Sequence, residues 1–379
     1  METRCVKRIK FFSYRGCLDS QRRRDNSPAA DTKIDYIIDV LNRCGYGVDH
    51  ISRAGSSINR FISGYVENKE CNTYRYFASL RRTESIFRVV CRWFMEMQFF
   101  LWCLLNIKRD ETILVYHSLG YASTFVKLRK FKHFKIIGEI EEVYQDVHAQ
   151  SNSKSKSEYD FIKLCDSYIF PTILMDNKLN LEHKKSVIVH GVYSISRIVE
   201  KKFDDGKIHV VYGGTLDPQK GGAVAAATAA EFLPENYHIH ICGFGDAEQI
   251  KGIISKVSSC SQATLSFEGN LKGEDYVRFI QKCHIGLSTQ NPNAAFNDTS
   301  FPSKILVYLS NGLNVVSIRI PVVEQSLIAD SIYFYNTQTA RDLADTIRSV
   351  SIERSHNLPN MSFLDEKFKE DMMDLLLYC

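Results

Sequence analysis

The sequence predicts an α/β protein with two doubly wound domains, on three observations. Short apolar, β-rich runs alternate with helix-period runs from end to end. The runs fall into two sets of about six strands each, the pattern of βαβ units and parallel sheets. Between the sets, Val192–Lys202 has no clear period, and Asp204-Asp205-Gly206 is a turn signal.

The first set comprises Val6–Ser13, Gly47–Ile51, Thr112–Tyr116, Phe134–Ile140, Ser167–Phe170 and Ser186–His190. The second comprises Ile208–Tyr212, Tyr237–Cys242, Ala263–Phe267, Ile285–Ser288, Leu313–Ile318 and Ser331–Phe334. Helical patterns fall at Thr32–Arg43, Gly221–Phe232, Gly273–Lys282 and Thr339–Val350, with a short amphipathic one at Phe363–Tyr378. The expected organisation is a domain over 1–191, a linker over 192–206, a second domain over 207–355, and a C-terminal helix over 356–379 packing back. Two open α/β sheets facing across a cleft turn their strand carboxyl ends toward it, where ligands bind.

At 379 residues the chain is comfortable for two domains, and 44% hydrophobic with 24% charged residues is ordinary for a soluble protein. The 11 cysteines form no CxxC and no Cys/His cluster at zinc-ligand spacing, so no metal is expected and the thiols read as reduced. With no secretory leader pattern at the N-terminus, this predicts a cytoplasmic protein. The net charge of +4 hides an asymmetry: residues 1–135 hold 25 Lys+Arg against 13 Asp+Glu, and the remainder 23 against 31. A basic first half suits an anionic partner or is simply a solvated basic face. No nucleic-acid recognition motif appears.

Four loops after strands carry the chemistry. In "HVVYGGTLDPQKGG" (209–222), Gly213-Gly214 read as a turn that lets backbone approach a ligand, and Lys220 opens an Ala-rich helix. In "IHICGFGD" (239–246), Gly243 and Gly245 read as a close-approach turn, without the third glycine of a dinucleotide fingerprint. In "SFEGNL" (266–271), Phe267 and Glu268 sit at a strand end, where backbone groups suit a nucleobase. The long polar loop 288–304 delivers Asn297, Asp298 and Thr299 beside a helix starting at Ser303-Lys304. A lysine at a helix N-terminus opposes the dipole, and an anion that both attract explains it.

As a set, these loops resemble the donor domain of retaining glycosyltransferases of family 4, of the polysaccharide-assembly type, over about 206–350. The resemblance implies a GT-B fold: two Rossmann-like domains, the first binding the acceptor and the second the donor. It implies that Lys220, Ser303 and Lys304 hold the diphosphate of a nucleotide-sugar (a UDP- or GDP-hexose), with no cofactor and no metal. The acceptor would be a glycan or polyprenyl-linked glycan in O-antigen or capsule synthesis. Thr299 and Val307 stand where many members carry glutamates, and Thr215 where many carry arginine.

In the first half, "VYHSLGYASTFVK" (115–127) and "KIIGEIEEVYQDV" (135–147) resemble two of the family's strand–loop units. Three carboxylates at one strand end, Glu139, Glu141 and Glu142, are not expected in a core. Alternation puts Glu139 and Glu141 on one face. The resemblance makes Glu141, with Glu139 and His117, the candidate catalytic group, acting electrostatically on a developing oxocarbenium. A solvated acidic loop is the alternative.

The aromatic stretch 87–110 has basic flanks and an uncharged run, Met97–Ile107, too short to span a bilayer. It reads either as a buried helix or as a peripheral membrane face. Two rival functions stay open: a nucleotide-sugar epimerase of the same fold, and a non-catalytic nucleotide-sugar-binding subunit suggested by Val307 and Thr215.

Overall fold

A computed structural model of the chain describes residues 7–16, 24–25, 27–81, 85–143, 152–195, 199–217, 221–294, 297, 299–352 and 357–379, with backbone only at 28–29, 85–86, 152–157 and 357–359. The chain divides into two compact units, Met1–Val192 with Lys367–Cys379, and Tyr193–Glu366.

The first unit contains β1 (Lys7–Ser13), β2 (Tyr46–Ser52), β3 (Phe61–Ile62), β4 (Tyr65–Lys69), β5 (Asn72–Tyr76), β6 (Ser79–Leu80), β7 (Thr112–Tyr116), β8 (Lys135–Glu139), β9 (Ser167–Phe170) and β10 (Ser186–Ile188). Its main sheet has the order β10-β9-β8-β7-β1-β2-β5-β4. Every neighbouring pair is parallel except β4 with β5. The β4–β5 hairpin corrects the all-parallel expectation. Its strands YVENK and NTYRY are largely polar, and its tight turn places Glu70 at φ 54°, where glycine or asparagine is the usual signal.

Among the described residues, five helices connect these strands: α1 (Pro28–Arg43), α2 (Ser85–Asn106), α3 (Leu119–Leu128), α4 (Asn152–Leu164) and α5 (Ile173–Leu179). Phe12 on β1 is buried between α2 and α3, with ring centroids 6.0 Å from Phe99 and 5.1 Å from Phe125. Edge-to-face aromatic pairs of this kind add about 0.5–1.5 kcal/mol each beyond area burial.

The aromatic segment forms α2, which has one buried and one exposed apolar face. Cys91, Phe99 and Cys103 are buried, while Phe87, Val89, Val90, Trp93, Leu101 and Leu105 are exposed. Among the described residues, no helix is long and apolar enough to cross a membrane.

The second unit is a six-stranded parallel sheet: β11 (Ile208–Leu216), β12 (Tyr237–Gly245), β13 (Thr264–Gly269), β14 (Ile285–Ser288), β15 (Asn314–Ile318) and β16 (Ile332–Tyr335). The order is β13-β12-β11-β14-β15-β16. Its helices are α6 (Gly222–Ala229), α7 (Ala247–Ser258), α8 (Gly273–Gln281), α9 (Ser303–Ser310), α10 (Pro321–Glu324) and α11 (Ala340–Ser349).

Two expected turns are strand instead. β11 continues through Gly213-Gly214 and β12 through Gly243 to Gly245, paired residue for residue. Gly213 and Gly214 are extended there; positive φ appears only further on, at Gly221, Gly243 and Gly245. Residues 199–206, read as part of a linker, lie on this unit: Phe203 stacks on His240, and Lys202 donates to the Cys283 carbonyl. The last helix, α12 (Asn357–Tyr378), starts six residues earlier than its amphipathic signal. Its final turns belong to the first unit, where Phe368 stacks on Tyr36 and Lys185 donates to the Asp374 carbonyl.

Candidate functional site

The second unit holds a cavity of about 380 Å³ at the carboxyl ends of β11 and β14, lined by Tyr212, Thr215, Asp217, Gly222, Ser288, Thr289, Gln290, Asn291, Ala294 and Lys304. This is where an open parallel sheet places a ligand. Lys304 stands in the first turn of α9, which Pro302 precedes without a side-chain cap. Its ammonium lies 4.6 Å from the centre of the Tyr212 ring and donates to the Tyr212 hydroxyl at 3.5 Å. Tyr212 in turn donates to the Thr215 carbonyl at 3.0 Å, and burial pushes its phenol up to about 12, so it stays neutral.

Three glycines in or beside the cavity make room for neighbouring side chains by lacking a Cβ. At Gly214 a Cβ would lie 2.3 Å from the Lys304 Nζ, at Gly222 2.8 Å from the Tyr212 hydroxyl, and at Gly213 2.4 Å from the Tyr276 hydroxyl. The backbone N–H of Gly213 donates to Tyr308 on α9, tying β11 to that helix. Thr289 donates to the Gly222 carbonyl at 2.7 Å and closes the far wall.

The structure brings Gly214 and Lys304 together, with Gly213 adjoining them. Gly243 touches the same strand end, where its Cβ position falls 1.7 Å from the Gly214 carbonyl oxygen. Asn297 reaches the cavity through Gln290, whose amide donates to it, and it is held by the carbonyls of Asn291 and Pro292. Thr299 is buried, and Ser303 is exposed as the first residue of α9. Lys220 and Asp298 lie outside the described residues. Phe267 and Glu268 belong to β13, outside the cavity lining, and Glu268 is paired with His240 at 2.8 Å. Tyr212, Asp217, Thr289 and Gln290 escaped the sequence reading; the only signal was their position next to quoted glycines and strand ends.

The first unit holds an acidic cluster at the end of β8. Glu139 is fully buried, which corrects the expectation that none of these carboxylates would be core. Burial, and then the neighbouring Glu141, push its carboxyl well above the usual range, so it is held neutral and tolerated there. Glu141 is half-buried and pairs at 3.1 Å with Lys33 of α1, which also donates to the Val189 carbonyl at 3.3 Å. His117 follows β7 with its backbone N–H on the Glu139 carbonyl. Its Nδ1 lies 3.2 Å from the Glu142 carbonyl and its Nε2 3.4 Å from the buried Glu158. Burial depresses the ring to about 4 against that backbone bond, so His117 is neutral. Glu139, Glu141 and His117 are thus brought together, and Lys33 is the member that sequence reasoning missed. A second cavity of this unit, about 400 Å³, is lined by Tyr14, Arg53, Arg92, Glu96 and Phe99 among others.

The class defined by these two doubly wound units is the GT-B fold of glycosyltransferases, and solved structures carry it across the whole chain. Trehalose 6-phosphate synthase from Burkholderia multivorans superposes with a TM-score of 0.62 at 12% identity, covering 98% of this chain and 100% of that one. The E. coli trehalose-6-phosphate enzyme bound with UDP-2-fluoro glucose gives 0.60 at 10%, covering 97% and 96%. The lipopolysaccharide outer core galactosyltransferase WaaB gives 0.61 at 13%, covering 98% and 99%. No family model matches the sequence, and no curated protein matches it.

Proposed function

We propose that this chain is a glycosyltransferase that moves a hexose from a UDP- or GDP-hexose onto a lipid-linked or growing glycan, with retention, in bacterial surface-polysaccharide synthesis. The observation that carries the reading is Lys304: a cation in the first turn of α9, standing in a glycine-shaped cavity at the strand ends. A diphosphate there gains both the ammonium and the helix N-terminus. Support for a nucleotide-sugar donor comes from the fold shared with an enzyme solved with UDP-2-fluoro glucose. Glu141 is assigned to the sugar-transfer step, oriented by Lys33 and neutral Glu139, and the Tyr14–Arg53 cavity to acceptor binding. No cofactor and no metal enters the transfer. The basic first half, with the exposed face of α2, is assigned to an anionic membrane surface on the cytoplasmic side.

A second reading, a nucleotide-sugar-binding subunit without turnover, is favoured by Val307 on α9 and Thr215 in the cavity wall, where the family resemblance leads one to expect charged partners for the donor. Incubation with a panel of UDP- and GDP-hexoses, read as melting-temperature shift and as nucleotide released in the presence of acceptor lipid, separates the two. A shift with release supports transfer, a shift without release supports the binding subunit, and no shift with any donor defeats both.

A further inference from the structure

At the β12–β13 edge of the second sheet, three ligand atoms converge on one point. His238 and His240 are alternate residues of β12, and Glu268 lies on the neighbouring strand β13. One ligand atom from each falls within 4.8 Å of the other two. The Ser266 hydroxyl sits among them, 2.7 Å from His238 Nε2, 3.1 Å from His240 Nδ1, and hydrogen-bonded to Glu268.

The surrounding bonds anchor each ring. Lys207 donates to the Thr264 hydroxyl at 3.1 Å, and that hydroxyl donates to the Tyr237 carbonyl. Thr264 must therefore accept from His238 Nδ1, 2.7 Å away, which leaves His238 Nε2 as a bare lone pair. On the other side, Asp205 can only accept, so His209 Nε2 donates to it at 2.8 Å. His240 Nε2 lies 2.8 Å from His209 Nδ1, and His240 Nδ1 lies 2.8 Å from the Glu268 carboxylate, to which it donates when protonated. A metal ion bound at Nδ1 takes the place of that proton. The site is thus three donor side chains gathered around the Ser266 hydroxyl. It has the support shell of a metal centre, since each ring's outer nitrogen is anchored by a hydroxyl or by a His–Asp relay. Phe203 and Phe279 wall the rings on the inner side, while His238 and Glu268 are half-exposed and give an entry path.

We propose that His238 Nε2, His240 Nδ1 and Glu268 bind one divalent transition-metal ion of the zinc class, with the Ser266 hydroxyl or a water as fourth ligand. Two nitrogens and a carboxylate suit zinc, nickel or cobalt and do not suit magnesium. The ion pins the edge strand β13 to β12 at the register shift, with both histidines before Ile241/Cys242 and Glu268 the residue left unpaired there, and takes no part in sugar transfer. The proposal is independent of the activity assigned above.

The test uses the full chain, stripped with chelator and titrated calorimetrically with Zn²⁺, Co²⁺ and Mg²⁺. A single Zn²⁺ should bind per chain, Co²⁺ should give the intense visible absorption of a tetrahedral site, and Mg²⁺ should not compete. His238→Gln and Glu268→Gln should each weaken Zn²⁺ binding by at least about tenfold. Circular dichroism and the metal-free melting temperature of both variants should match the wild type, because both side chains are half-exposed. His183→Gln, at an exposed histidine elsewhere, should change nothing. Absence of stoichiometric Zn²⁺ binding, equal competition by Mg²⁺, or binding by His238→Gln within about twofold of wild type would overturn the proposal.

Discussion

The ammonium of Lys304 stands 4.6 Å above the ring of Tyr212, and the space it fills exists because residue 214 is glycine. A lysine in the first turn of a helix is unfavourable by the dipole alone. The aromatic face offsets part of that cost and orients the amine into the cavity. Lys304→Ala should therefore lower affinity for UDP or GDP by roughly 10–100-fold, the loss of one charge-assisted contact of about 1.5–3 kcal/mol. Calorimetric titration with each nucleotide checks this, and unchanged affinity removes Lys304 from the site.

Gly214→Ala and Gly243→Ala should behave differently. The Cβ added at Gly214 meets the mobile end of Lys304, which can swing away. Nucleotide affinity should fall as in Lys304→Ala while the melting temperature hardly moves. The Cβ added at Gly243 falls 1.7 Å from the Gly214 carbonyl, at a residue with φ 147°. Neither backbone can yield cheaply, so Gly243→Ala should cost about 3 kcal/mol or more. Urea midpoints for the two variants measure the contrast, and equal midpoints would contradict it.

Much of the fold was legible because burial on both faces of a parallel strand leaves an apolar run that needs no partner to be recognised. Thr112–Tyr116, Ser167–Phe170 and Ile285–Ser288 are strands over the same residues as in the sequence reading. The β4–β5 hairpin was not legible: it is polar, at the sheet edge, and turned by Glu70 and Cys71. In the candidate site, Lys304 and the glycines could be found because helix starts and strand ends leave local signals. Lys33 could not, since its pairing with Glu141 spans 108 positions of chain with no local pattern. The His238–His240–Glu268 group was missed for the same reason: metal-ligand spacing is a local criterion, and these residues meet across two strands.

The exposed face of α2 gives a third prediction. Trp93 is 61% exposed, with Phe87 and Leu105 on the same helix at 61% and 80%. Arg81 and Arg92 on the same unit are exposed too. Vesicles containing anionic lipid should bind the protein and shift Trp93 emission to the blue, and added salt should reverse both. Phe87→Ser with Trp93→Ser should abolish binding without lowering the melting temperature, because neither side chain is in the core. Equal binding to neutral and anionic vesicles, or to neither, would sink the membrane assignment.

Glu141→Gln should lower turnover more than donor affinity, since a charge that matters at the oxocarbenium matters little in the ground state. Glu142→Gln, by comparison, should be mild: what meets His117 is the Glu142 backbone carbonyl, which the substitution keeps. The measurement is transfer rate beside nucleotide-sugar affinity for both variants. A parallel loss of rate and affinity in Glu141→Gln would place Glu141 in donor binding instead.

Glu139 gives the last prediction, and it concerns pH. Its carboxyl is held neutral in the folded chain by burial first and by Glu141 second, with the Lys33 ammonium opposing both. In the unfolded chain it ionises near the ordinary glutamate value of about 4.3. Between that value and the raised folded one, the native state binds the extra proton and unfolding releases it. Native stability therefore falls as pH rises through this window, by up to about 1.4 kcal/mol per pH unit for the single proton. Glu139→Gln carries a neutral side chain of the same shape at every pH and has no such slope. The variant should match the wild type near pH 4 and become progressively more stable than it toward pH 7. Urea midpoints of the two proteins at intervals across that range give the test. A constant difference would show that Glu139 is ionised in the folded protein. The carboxylate pair at the end of β8 would then be a charged site, with Lys33 shared between both acids.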